Sequence, residues 1–289
     1  MGIKLKYAAA VLAAAVSCSS AAAECDLAAI SESTAAEVFR ACRAGAEAEA
    51  GDTASELNLA YIYAIGKKYQ DAAKWFRRAA DHGSADAEYL LGTLYLEGKG
   101  VTKSLSGAAG WFRKAAEQGH AGAEFSLGTL YASGLGVGKS PAEAVRWYRK
   151  AAEQGSSEAE NNLGQAYCEG NGVPQNFSEC AKLLRKSAEQ GNDAAMFNLA
   201  IMYENGRGVP QNYREAVKWH RMAADHGNML AEFNLANLYA NGRGVPVNFY
   251  EAKRLYERGR RRAMRPRTSI SASCTSTGDR ACRRAFLRL

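Results

Sequence analysis

The stretch AMFNLAIMYENGRGVPQNYREAVKWHRMAADHG, residues 195–227, decides the fold. In its first half Ala195, Leu199, Met202 and Tyr203 fall at i, i+4, i+7 and i+8, one face of a helix. Asn205-Gly206 stops that helix, because both residue types tolerate the left-handed backbone of a helix C-terminus. Gly208 adds a second flexible point, and Val209-Pro210 forces an extended segment. Asn212 then opens a second helix, with Glu215 three residues on, the pattern of a capping box. Ala216, Trp219, His220, Ala223 and Ala224 form its apolar face, and Gly227 ends it. The stretch therefore predicts two antiparallel helices, neither of which can bury its apolar face alone.

The unit recurs. Gly83, Gly119, Gly155, Gly191 and Gly227 stand 36 residues apart, each closing the text AADHG, AAEQG or SAEQG. A fixed period of this length marks a solenoid, in which stacked neighbours complete the core. The capping signal returns at one phase as Asn176/Glu179, Asn248/Glu251 and Ser140-Pro141-Ala142-Glu143. Small residues return at another phase, as Gly92, Gly128, Gly164, Ala200 and Ala236, and predict close helix contact there. The first repeat, 52–83, has a shortened connection, AIGKKYQD. Four full repeats follow, and a sixth holds its pattern to Tyr256 before Gly259-Arg260 breaks it.

The ends differ from the array. Net charge is +7, but residues 258–289 hold ten arginines against the single acid Asp279. The basic balance therefore belongs to the tail, the repeat body is mildly acidic, and no specific nucleic-acid binding is expected of it. At the start, Lys4 and Lys6 precede an apolar run from Tyr7 to Val16, then Ala21-Ala22-Ala23. That is the form of a signal peptide over 1–23, with Glu24 as mature N-terminus. Lipidation at Cys18 is the alternative. Export, to the periplasm or beyond the cell, follows from either, and no transmembrane span is expected. An even set of cysteines remains after cleavage, and in an exported chain this suggests disulfides. Cys25 with Cys42 and Cys168 with Cys180 are the candidates; the other reading of Cys168 and Cys180 is two small apolar residues in a packed hairpin. Residues 24–51 are expected to form a capping helix, 52–258 the solenoid of about six repeats, and 259–289 an Arg-rich, disordered tail.

The pattern A-x-x-x-L-G-x-x-Y-x-x-G-x-G-V, followed by A-x-x-W-[YF]-x-K-A-A-x-x-G, is met nearly in full by residues 87–119, 123–155 and 195–227. It resembles the Sel1-like repeat family, a relative of the tetratricopeptide repeat. Leu183-Leu184 departs from it where Trp-Tyr is usual. The resemblance implies an all-α fold, an α/α solenoid whose antiparallel helix pairs wind into a right-handed superhelix with the first helices on the concave side. It implies a scaffold or adaptor role toward a protein or peptide partner, often in the bacterial envelope or in host contact.

On those first helices Asn58, Asn162, Asn198 and Asn234 share one phase, and Thr93, Thr129, Gln165 and Asn237 stand three residues further on. Amide side chains in a row can hydrogen-bond an extended peptide, so these are the candidate ligand-binding residues. The alternative is that each Asn bonds the neighbouring helix of its own array. His82 and His226 occupy a slot held elsewhere by Gln118, Gln154 and Gln190, and His220 stands among Phe76, Phe112 and Tyr148, where packing is its expected role. No metal-ligand spacing and no cofactor motif occurs in the sequence. Some cysteine-rich relatives of this type are linked to β-lactam hydrolysis, but the S-x-x-K, S-D-N and K-T-G signature is absent, and no enzymatic activity is expected. The tail reads in three ways: a cationic arm making weak contact with an anionic surface, plain disordered chain, or an out-of-frame end.

Overall fold

The computed structural model describes residues 52–264, with side chains to 261. The expected signal peptide, capping segment, Cys25–Cys42 pair and Arg-rich tail lie outside the described residues or, in the tail, almost entirely so. Among the described residues there are twelve helices and no strand. They are α1 Thr53–Ile65, α2 Tyr69–Asp81, α3 Ala85–Glu97, α4 Leu105–Glu117, α5 Ala121–Ser133 and α6 Pro141–Glu153. Then come α7 Ser157–Glu169, α8 Phe177–Glu189, α9 Asp193–Asn205, α10 Tyr213–Asp225, α11 Met229–Asn241 and α12 Phe249–Met264. The chain divides into two compact units, one up to Trp147 and one from Tyr148. In each, consecutive helices pack as pairs, and pairs stack on pairs.

Local sequence sets most boundaries; the exceptions are α1 and α2, which start without a side-chain cap, and α1 stops at Gly66 with φ −70°. Four of the first helices start at a serine or asparagine cap: Ser84, Ser156, Asn192 and Asn228 each accept from the backbone N–H three residues on. They stop at a glycine in the left-handed region, such as Gly206 with φ 66°. Second helices start at Ser104, Asn176 and Asn212 in the same way. The capping box is half as expected. Asn212 Oδ1 accepts from the N–H groups of Arg214 and Glu215. Its own N–H, however, donates to the Tyr203 carbonyl at 2.9 Å, as Asn176 does to Tyr167 and Asn248 to Tyr239. The preceding helix has carbonyls without intrahelical donors, and the next cap supplies one. The last helix runs through Met264, past the break in the pattern at Gly259.

The core is small and repetitive. Leu59, Leu91 and Leu127 in the first unit, and Leu163, Leu199 and Leu235 in the second, are at most 3% exposed. Alanine pairs of the second helices pack around them. At Gly92 a methyl group would stand 2.7 Å from the Phe112 ring, so the small-residue phase is a close helix approach as expected. Gly208 is not a flexible point. Its φ is +69°, and a Cβ there would stand 2.0 Å from the Phe177 carbonyl oxygen at the start of the preceding pair's second helix. Gly100 meets the Tyr69 carbonyl, Gly136 that of Leu105 and Gly244 that of Tyr213 in the same way. The second glycine of these four loops is thus a contact point between repeats.

The candidate interaction face of the first helices

Every candidate polar residue is at least partly exposed. Asn58 on α1, Thr93 on α3 and Thr129 on α5 lie in the first unit. Asn162 and Gln165 on α7, Asn198 on α9, and Asn234 and Asn237 on α11 lie in the second. The structure brings some of them together. Asn198 Nδ2 donates to Asn161 Oδ1 at 3.4 Å, and Asn161 Nδ2 donates to Asn162 Oδ1 at 3.2 Å. Asn161, 7% exposed, is the buried link of this row and was not among the candidates. Asn237 Oδ1 accepts from the Tyr256 hydroxyl at 2.5 Å, tying α11 to α12. The hydroxyls of Thr93 and Thr129 donate to the carbonyls of Tyr89 and Phe125 one turn back. The two threonines therefore spend their donors on their own helices.

Beneath this face lies a feature that sequence reasoning overlooks. Glu56, Glu88, Glu124, Glu160 and Glu232 recur at one phase, and all are at most 5% exposed. A recurring acid reads as a solvated face, yet each is folded inward. Gln118 Nε2 donates to Glu88 at 2.8 Å, and Gln190 Nε2 to Glu160 at 2.7 Å. Where a residue other than glutamine reaches the carboxylate, it is a cationic or imidazole group. Arg78 and His82 meet Glu56, and Arg258 meets Glu232 at 2.6 Å. Each link joins the start of a first helix to its second helix. The signal in the sequence is the matched 36-residue period of glutamate and glutamine.

Burial pushes the Glu160 carboxyl above the ordinary glutamate range, against the lowering effects of Lys186 and the Gln190 hydrogen bond. Glu88 is raised for the same leading reason. A raised carboxyl contributes stability that is complete below its unfolded value and is lost as pH rises through its folded value. Glu160→Gln keeps an acceptor for Gln190 and removes the titration. We expect the variant to gain stability relative to the native chain on going from acid to neutral pH; thermal melts of both at two pH values on either side of 4.5 check this. Parallel shifts of the two proteins would sink the assignment.

Two further cross-helix ties sit in the second unit. Cys168 and Cys180 form a disulfide between α7 and α8, with Cα atoms 5.4 Å apart. Met202 of the next pair packs on it, its sulfur 3.7 Å from Cys180 Sγ. One repeat later Glu204 takes the phase of Cys168, and its Oε1 lies 2.5 Å from Nε2 of His220. His220 is fully buried, as a packing residue would be, and it adds this polar link to α9. Among the described residues no group of three His, Cys, Asp or Glu is placed to hold a metal ion, and no helix is long and apolar enough to cross a membrane.

The chain resembles solved repeat structures. A protective antigen present in uropathogenic Escherichia coli strains, displaying an SLR fold, is 35% identical with a TM-score of 0.74. The match covers 78% of this chain and 49% of that one, so this chain spans about half the antigen. A Sel1 repeat protein from Oxalobacter formigenes is 35% identical with a TM-score of 0.68, over 71% of this chain and 84% of that one. No curated protein matches the chain. The Sel1 repeat model matches residues 53–84, 85–120, 121–156, 157–192, 193–228 and 230–262. Six matches in the phase of the helix pairs, over most of the chain, place it in the Sel1 repeat family.

Proposed function

We propose that this chain is a protein-interaction scaffold of the bacterial cell envelope or of secreted material, and that it holds an extended segment of a partner against the amide row of its first helices. Sel1 repeat arrays generally serve as interaction scaffolds. The observation that carries the reading is the Asn198–Asn161–Asn162 chain, which fixes the partly exposed amides of Asn162 and Asn198 in orientation across two repeats. A preoriented amide loses little side-chain freedom when it meets a peptide backbone. The Cys168–Cys180 disulfide supports an oxidising compartment.

The double substitution Asn198→Ala/Asn234→Ala tests it. Two lost hydrogen bonds at about 1 kcal/mol each correspond to partner binding at least about tenfold weaker. Helicity by circular dichroism should be unchanged. Partners are first captured from envelope extract on the full chain, then compared on the variant. Equal retention by both would overturn the amide-row reading, and a variant that loses its helicity would show the asparagines to be structural.

A further inference from the structure

The second helices carry tryptophan at one phase, Trp75, Trp111, Trp147 and Trp219, with leucine in the other two repeats at Leu183 and Leu255. Trp111 shows what the indole does. The Arg77 guanidinium, from the preceding pair, lies 5.3 Å from its ring centroid. The same guanidinium donates to the Tyr95 hydroxyl at 2.6 Å. It is thus held between a phenol oxygen and an indole face, which attracts a cation through its quadrupole.

A related arrangement returns at the end of the array with no indole, the Arg221 guanidinium lying 5.9 Å from the Tyr239 ring centroid. Arg221 of α10 donates to the Tyr239 hydroxyl of α11, as Arg77 does to Tyr95. Residue 255 of α12, which stands where Trp111 stands, is leucine. A cleft of about 480 Å³ lies there. Ala224, Leu235 and Leu255 give it an apolar floor, and Arg221 and Tyr239 form part of its wall. Arg254 and Arg258 also line it, against Asp225 and Glu251. Arg258 is occupied, since it meets Glu232 and donates to the Ala224 carbonyl at 2.6 Å. Among the described residues Arg254 pairs with Glu251, 2.8 Å away across one turn, and its side chain is 62% exposed. An exposed pair of this kind is weak and yields to a competing carboxylate.

We propose that this cleft binds an aromatic side chain, with a carboxylate beside it, from an acidic segment of a partner protein. The ring takes the place that an indole fills at Trp111 and stacks on Arg221. The carboxylate meets Arg254. The site lies among α10, α11 and α12 and shares no residue with the amide row, so it stands or falls independently of the function proposed above.

The test uses the full chain and the peptide acetyl-Asp-Trp-Glu-amide, with acetyl-Asp-Leu-Glu-amide and acetyl-Asn-Trp-Gln-amide for comparison, followed by calorimetric titration. The acidic tryptophan peptide is expected to bind at least about threefold more tightly than either comparison peptide. Arg221→Gln, at an exposed position, should weaken it about three- to tenfold. Leu255→Trp should restore the arrangement seen at Trp111, leave the melting temperature no lower, and abolish binding. If Leu255→Trp melts lower, Arg221→Gln and Arg254→Gln decide instead. No binding by the native chain, equal binding of all three peptides, or full binding by Arg221→Gln would overturn the proposal.

Discussion

Gly208→Ala is expected to lower the stability of the second unit by about 2–5 kcal/mol. Two costs add. An alanine at φ +69° sits in the left-handed region, which costs about 1–2 kcal/mol for a residue with a Cβ. The new methyl would also stand 2.0 Å from the Phe177 carbonyl oxygen, a backbone atom that cannot swing aside. The loop must lift off the preceding pair, and overpacking of this kind costs about 1–3 kcal/mol. Repeat stability depends on neighbour contacts, so the damage should spread to the interface between α8 and α9. Urea unfolding followed by circular dichroism checks it. Gly110→Ala is the control: Gly110 lies inside α4 with nothing near its absent Cβ, and alanine there should stabilise by about 0.5–1 kcal/mol. A Gly208→Ala protein as stable as the native chain would refute the contact between loop and preceding pair.

Reduction of Cys168–Cys180 should cost about 3 kcal/mol, the chain-entropy value for a link across 12 residues. The bond also fills space, since Cys180 is fully buried and Met202 packs on it. Melts with and without a thiol reductant measure the loss. The Cys168→Ala/Cys180→Ala variant should melt near the reduced native protein and respond no further to reductant through this unit. A native protein whose melting is indifferent to reductant, with the bond shown present by mass, would contradict a stabilising role. The effect ties stability to compartment: in a reducing compartment the fourth repeat loses this link.

Much of the fold can be read from residues 195–227. The apolar spacing, the capping asparagine and the closing glycine each act within a few residues, and the structure places their helices at those boundaries. The buried glutamates could not be read that way. Glu160 is polar and stands among polar neighbours on its helix, and only its partner, Gln190 from the far end of the pair, makes burial affordable. The candidate site divides in the same manner. Period alone lines up Asn162, Asn198 and Asn234, but Asn161, which joins two of them, lies one position off that phase. Thr93 and Thr129 share the phase, yet bond back to their own helices, a choice set by rotamer and not by spacing.

The sequence by itself determined the helices, their pairing and their repetition, because caps, stops and apolar stripes are local and recur often enough to exclude chance. Only the tertiary structure decided which polar groups turn inward, which glycines touch a neighbouring repeat, and where a leucine in a tryptophan slot stands beside a cleft. Those outcomes depend on atoms brought together from different helix pairs, and a contact across 30 or more residues has no local signature in the chain.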